Sequence, residues 1–326
     1  MSAQTSRAGV PGPGRQDAIR VAALGGGHGL AASLTALRRL HTDLTGIVTV
    51  ADDGGSSGRL RRELGILPPG DLRMALAALS GDDDRGRRWA AVLQHRFPGD
   101  GPLAGHATGN LLIAAVWDIL GGHVDGLDLV GELLGSKGRV LPMAAVPLDI
   151  EADVVMDSAP GRLTVVRGQS SVAGADGQVV SVRLDPQDPP ACPEAVAAVR
   201  DADWVVVGPG SWFTSVMPTL LVPQLRDALV ATDARRALVL NLRGDRETAG
   251  LDATGHLDVL SAHAPELRLD VVLADRSSVD DAGQLARAAE RLGARLEVAD
   301  VARSADSDQH DAERLAAAFG SFLARA

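Results

Sequence analysis

The sequence predicts a mostly parallel, Rossmann-like doubly wound α/β sheet with a small antiparallel β insertion. Three observations predict it. Short apolar runs of strand length alternate with segments whose leucines recur at helical spacing. Glycine-rich or hydroxyl-rich turns follow the first two apolar runs and a later one. Between about residues 152 and 184 the alternation gives way to short apolar runs split by Gly-rich turns, as in antiparallel strands.

The elements follow in order. Residues 1–18, rich in Gly, Pro, Ser and Gln and lacking an apolar signal core, read as a flexible tail. Residues 19–24 (IRVAAL) read as a strand running into a glycine cluster, and 30–40, with Leu30, Leu34 and Leu37 at helical spacing, as a helix. Residues 47–51 (IVTVA) are a second buried strand by their β-branched content, closed by a polar loop from Asp52 to Arg59. Asp71 reads as the N-cap of a helix over 72–79, and 81–88 as a polar loop. Residues 111–120 are so apolar that the helix they form should be buried. Strands are expected at 139–146, 204–207, 237–242, 270–273 and 296–301, and helices at 193–200, 281–292 and 310–324.

Composition narrows the chemistry. The 326 residues carry 42 acidic and 32 basic side chains, a net charge of −10 that disfavours a dedicated nucleic-acid binder. Cys192 is the single cysteine, so no intramolecular disulfide forms and a reducing, cytoplasmic setting is expected. No run approaches the ~18 apolar residues of a membrane span. Lys137 is the only lysine, which excludes a Walker-type phosphate loop; phosphate handling must rest on backbone amides, arginine or a metal.

The loop Gly25-Gly26-Gly27-His28-Gly29-Leu30 joins the first strand to the first helix, where bare amides and the helix dipole attract an anion. Gly27, Gly29 and Ala32 match the dinucleotide fingerprint, and Asp53 lies 21 residues beyond Ala32, where a ribose-binding acid is expected. A tight turn needs fewer glycines than this. His28 either donates to a phosphate or is a solvated loop residue. In the Asp52–Arg59 block, Asp52 and Asp53 can hold ribose hydroxyls or a divalent ion, and Arg59 can pair with phosphate. His106 and Asn110 stand at another helix start, and Gly208, Pro209, Gly210 and Ser211 form a third loop with Thr214 and Ser215. Trp204 reads as core, whereas Trp212 or Phe213 could stack on a base. Asp71 and Arg73 need no role beyond the helix they start. No HExxH motif is present.

The blocks GGGHGL (25–30), TVADDGGSSGRLRRELGILPPGDLR (49–73), GHATGNLL (105–112), GRVLP (138–142) and GPGSWFTSVMPTLLVP (208–223) resemble the YvcK-like gluconeogenesis factor family, relatives of the CofD 2-phospholactate transferases. The resemblance implies a single CofD-like domain over residues 19–326. It implies a cytoplasmic regulator that binds a UDP-sugar such as UDP-GlcNAc and serves growth and cell shape on gluconeogenic carbon sources. No cofactor is required in that reading, no membrane span is present, and homo-oligomers are compatible with it. The CofD relatives imply an alternative, a magnesium-dependent transferase using a nucleotide-linked donor, with Asp52 and Asp53 at the metal. By match, Gly26, Gly27, His28, Gly29, Leu30, Asp53, Asn110, Gly208, Pro209, Gly210 and Ser211 are the expected ligand contacts. Departures fall at Arg246, Leu251 and Gln309, which the resemblance places near the sugar or uracil end of the ligand.

Overall fold

The computed structural model describes residues 18–323 except 160, 245, 249, 305 and 306; residues 1–17 of the expected tail lie outside them. The chain opens as β1 (Ile19–Gly25), α1 (Gly27–Leu37) and β2 (Thr42–Val48), the βαβ unit that the sequence predicts. Four helices come next: α2 (Gly55–Leu64), α3 (Pro69–Leu79), α4 (Asp84–Gln94) and α5 (Thr108–Leu120). The chain continues through α6 (His123–Leu134) and β3 (Gly138–Pro142). The insertion comprises β4 (Asp149–Met156), β5 (Leu163–Arg167), the short α7 (Gln169–Ala173) and β6 (Gly177–Asp185). Then follow α8 (Pro193–Asp201), β7 (Trp204–Val207), a π-helical turn (Trp212–Val216), α9 (Met217–Leu221), α10 (Pro223–Ala231) and β8 (Arg235–Val239). The last elements are α11 (Ala253–His263), β9 (Val271–Asp275), α12 (Ala282–Arg291), β10 (Arg295–Ala299) and α13 (Ala312–Phe322).

The seven-stranded sheet has the order β10-β9-β8-β7-β1-β2-β3, and all its ladders are parallel. The small sheet, β5-β4-β6, is antiparallel. From β1 the chain winds outward through β2 and β3, then returns to β7 on the other side of β1 and winds the opposite way. The switch point therefore lies between β1 and β7, where the loops after two neighbouring strands diverge and leave a crevice. The central strands read as near-continuous apolar runs because both faces are covered: Ala22, Ala23 and Leu24 of β1 and all four residues of β7 are buried. No helix of the described residues is long and apolar enough to cross a membrane.

Several boundaries differ from expectation. β2 ends at Val48, and Val50 and Ala51, expected as its end, leave the ladder yet remain fully buried. The chain entering the insertion runs alongside them, since Leu148 N–H donates to the Val50 carbonyl at 3.3 Å. The Asp52–Arg59 block is a loop only to Gly54; Ser56, Ser57 and Arg59 lie in α2. α3 starts at Pro69, so Pro68 is its N-cap and Asp71 lies in its first turn. A helix, α4, occupies most of the region expected as a polar loop, its start capped by Asp83. α5 is not wholly buried: Ile113, Ala114 and Trp117 face the core, whereas Ile119 is 79% exposed, because its neighbours α3, α4 and α6 cover one side only. Strand β3 stops at Pro142.

Candidate functional site

The crevice at the switch point has a volume of about 690 Å³ and is framed by the loops after β1, β7 and β8. Such a volume suits a small organic ligand, since ligand pockets run ~300–1,000 Å³. Gly26, Gly27, His28 and Gly29 line it from the β1 side, and Pro209, Gly210 and Ser211 from the β7 side. Asn241, Arg243 and Arg246 line it from beyond β8, and Asp308 and His310 from the approach to α13.

Each glycine of the first loop has a different reason. At Gly29 a Cβ would collide with the Pro209 carbonyl, so this glycine lets the two loops touch. At Gly26 a Cβ would lie 2.6 Å from Oδ2 of Asp71. Gly27 alone of the three would place its Cβ in open space, at a φ of +57° that L residues rarely adopt. The loop is thus built against Pro209 and Asp71, and Gly27 is the position open toward the cavity. Leu30 is fully buried in the core and lies behind the lining.

The second loop is held from several sides. Ser33 Oγ donates to the Gly208 carbonyl at 3.1 Å, so Gly208 sits beneath the surface of the crevice. Thr49 Oγ1 donates to the Ser215 carbonyl at 2.8 Å, and the Phe213 N–H donates to Oε1 of Glu247 at 2.8 Å. Trp212 and Phe213 are fully buried, so neither offers a face to a base, contrary to expectation; the π-helical turn points them into the core. Thr214 lines the crevice with a hydroxyl that has no partner.

Asp71, assigned only a capping role from sequence, lines the crevice with Asp52. Burial pushes its carboxyl up to about 7, and the Asp52 charge adds to this, while a hydrogen bond from the Gly27 main chain and the Arg73 charge pull the other way. Asp52 and Asp71, close enough that the charge of one raises the other, are the pair of lining carboxylates beside the glycine loop, and Asp308 lies on the wall toward α13. Asp53 lies outside the lining: its Oδ1 accepts from the Ser170 N–H at 2.9 Å, tying the start of α2 to the insertion. Arg59 spends its guanidinium on the Pro102 and Ala104 carbonyls.

Asn110 is also outside the crevice wall, buried in a polar network. Its Nδ2 donates to Ser56 Oγ at 3.0 Å, its Oδ1 accepts from Nε of Arg73 at 2.9 Å, and His106 Nδ1 meets the same serine at 3.0 Å. His310 is buried, and burial drives its imidazole down to about 4 against the opposing charge of Asp275 and a hydrogen bond with the Leu240 main chain. The ring is therefore neutral near pH 7. Of the departures noted in sequence, Arg246 lines the crevice, Gln309 lines a second, adjoining cavity, and Leu251 packs against the core. Asn241, Arg243 and Asp308 had no sequence signal, because loops distant along the chain bring them to this place.

Comparison with known proteins follows the same lines. The family described as 2-phospho-L-lactate transferase CofD matches residues 21–316. A Mycobacterium tuberculosis protein provisionally named a gluconeogenesis factor is 53% identical over 310 residues, covering 94% of this chain and 90% of the relative. The gluconeogenesis factor of Listeria monocytogenes is 34% identical, covering 93% and 95%, and that of Bacillus subtilis 36% identical, covering 80% of each. A crystal structure of a UPF0052-family protein of Bacillus halodurans superposes with a TM-score of 0.82 at 33% identity, covering 93% of this chain and 98% of that one.

Proposed function

This chain belongs to the CofD family, and from that premise we propose that it is a gluconeogenesis factor whose crevice binds the diphosphate of a nucleotide sugar, a UDP-sugar such as UDP-GlcNAc, as a cytoplasmic regulator of growth and cell shape. The observation that carries the reading is the convergence of two glycine loops on one crevice at the switch point, with Gly27 open toward it. The N-terminus of α1 supplies amides and a positive dipole end for phosphate oxygens, a role that needs no lysine. Arg243 and Arg246, on the far wall, stand where a ligand extending across the cavity would place its sugar or base.

The test is a thermal-shift titration. UDP-GlcNAc and UDP should raise the melting temperature and free N-acetylglucosamine should not; a ligand at ~100 times its Kd stabilises by about 2.7 kcal/mol. A flat response to both nucleotides defeats the reading, and NAD acting better than either redirects it to an oxidoreductase.

A second reading, a magnesium-dependent transferase with a nucleotide-linked donor, is favoured by one observation, the Asp52 and Asp71 carboxylates facing the same cavity beside the glycine loop. Magnesium is commonly held by one or two carboxylates together with ligand phosphates. The donor set fits Asp52 with Asp71, whereas Asp53 lies outside the lining. Bound there, the ion would neutralise a diphosphate leaving group. Magnesium-dependent release of nucleotide on adding an acceptor would select this reading.

A further inference from the structure

A second cavity of about 730 Å³ adjoins the crevice and shares His28, Gly29, Met74, Asp308 and His310 with it. Its walls come from α1, α3 and α4, and alanines dominate them: Ala31, Ala32, Ala77, Ala78, Ala90 and Ala91. Into this apolar space the protein places arginine. Arg73 and Arg96 both line the cavity, and Arg303 stands at its exposed rim.

Arg73 is the anomaly. It is 4% exposed, yet no carboxylate pairs with it among the described residues. Its one hydrogen bond runs from Nε to Asn110, which leaves both terminal nitrogens without a partner. Burial, and after it the Arg96 charge, lowers its pKa to about 10; Asp71 and Asp52 attract it without reaching ion-pair distance. The terminal nitrogens of Arg73 are not among the sealed polar atoms; they open onto the cavity, where a guanidinium beside a second cation is best completed by an anion.

The arrangement is also built. At Gly109 any Cβ would stand 2.9 Å from both Cγ and Cδ of Arg73, so this glycine lets the arginine stem pass under α5. The next residue, Asn110, then holds Nε, fixing the plane of the fork. Two blocks of the sequence, one ending at Arg73 and one containing Gly109 and Asn110, thus serve one guanidinium.

We infer that this second cavity is an anion subsite, in which the terminal nitrogens of Arg73, flanked by Arg96, receive the oxyanion of a small acidic molecule whose apolar remainder lies on the alanine walls. The oxyanion is a carboxylate or a phosphoryl group, both of which match an arginine fork. The subsite does not depend on nucleotide binding in the neighbouring crevice.

Thermal melts with inorganic phosphate and with hexanoate, at ionic strength held constant with chloride, test this and separate the two sources. Wild type should show a saturable rise with at least one of them, and the same rise should persist in Gly27→Ala and with UDP present. Arg73→Met should abolish the response even where the ligand-free protein melts lower, since the change leaves Asn110 Oδ1 without its donor. Arg96→Gln should weaken the apparent affinity at least several-fold, and it provides the test if Arg73→Met fails to fold. A response lost in Gly27→Ala and kept in Arg73→Met would place the anion in the glycine loop and overturn the inference. So would a rise equal in all variants, or no saturable rise. UDP-GlcNAc is titrated separately, so a failed nucleotide reading leaves this result standing.

Discussion

One side chain holds both main-chain groups of Gly210: the Gly210 N–H donates to Oδ1 of Asn241 at 2.9 Å, and its carbonyl accepts from Nδ2 at 2.8 Å. Gly210 follows β7 and Asn241 follows β8, so the end of one strand sets the shape of the loop after its neighbour. Asn241→Ala removes two hydrogen bonds worth about 0.5–1.5 kcal/mol each. It should weaken UDP-GlcNAc binding by roughly tenfold, measured by isothermal titration calorimetry. An unchanged Kd would mean that the loop keeps its shape without the clamp.

The glycines of the first loop should separate by phenotype. Gly29→Ala meets the Pro209 carbonyl and should lower the melting temperature strongly. Gly27→Ala meets nothing but adopts a left-handed backbone, costing about 1–2 kcal/mol. It should remain folded and lose UDP-GlcNAc binding. Paired melting and titration experiments decide, and a Gly29→Ala protein as stable as wild type would refute the packing argument.

Asp71 gives stability a definite slope with pH. Its folded pKa of about 7 exceeds the ordinary 3.8, so between these values the folded state holds the extra proton. Stability then falls as pH rises through that window and levels off above about 7. Asp71→Asn, which cannot ionise, should gain on wild type between pH 4 and pH 8. Its partial exposure limits the gain to on the order of 1 kcal/mol. Urea titrations at the two pH values test this; an equal stability difference at both would sink it.

The same carboxyl should couple pH to the ligand. With divalent ions chelated, UDP-GlcNAc affinity should fall as pH passes about 7, because the diphosphate then meets a second ionised carboxylate beside Asp52. If magnesium restores affinity at pH 8 in wild type but not in Asp52→Asn, the transferase reading gains; if magnesium does nothing, the binding reading does.

Asp53→Asn should leave UDP-GlcNAc affinity within about threefold while exposing the insertion. The charged acceptor for the Ser170 N–H becomes a neutral amide oxygen, a weaker one, so amide exchange over residues 163–173 should accelerate. A large loss of affinity with unchanged exchange would return Asp53 to the ligand.

Much of the fold was legible along the chain. The strand, glycine turn and helix at residues 19–37, the strand at 204–207 and the antiparallel insertion follow from apolar periodicity and turn residues. The misjudged elements share a cause, in that burial was mistaken for pairing or for polarity. Val50 and Ala51 are buried outside the ladder, beside the chain that enters the insertion, and α5 is apolar on a side that no described residue covers. α4 escaped notice because its outer face is charged and its few buried residues include a glycine, Gly86.

The sequence by itself determined that two glycine loops follow strands and that no lysine could serve them, because strand ends and residue types are local properties. Only the tertiary structure decided that these loops flank one switch point, since strand order is a property of long-range pairing. Packing likewise decided the roles of four residues that spacing could not rank. Asp71 was raised from cap to crevice wall and Arg73 from helix surface to buried cation. Asp53 and Asn110, expected as contacts, lie outside the crevice lining, where Asp53 Oδ1 accepts from the Ser170 N–H and the Asn110 amide is shared between Arg73 and Ser56.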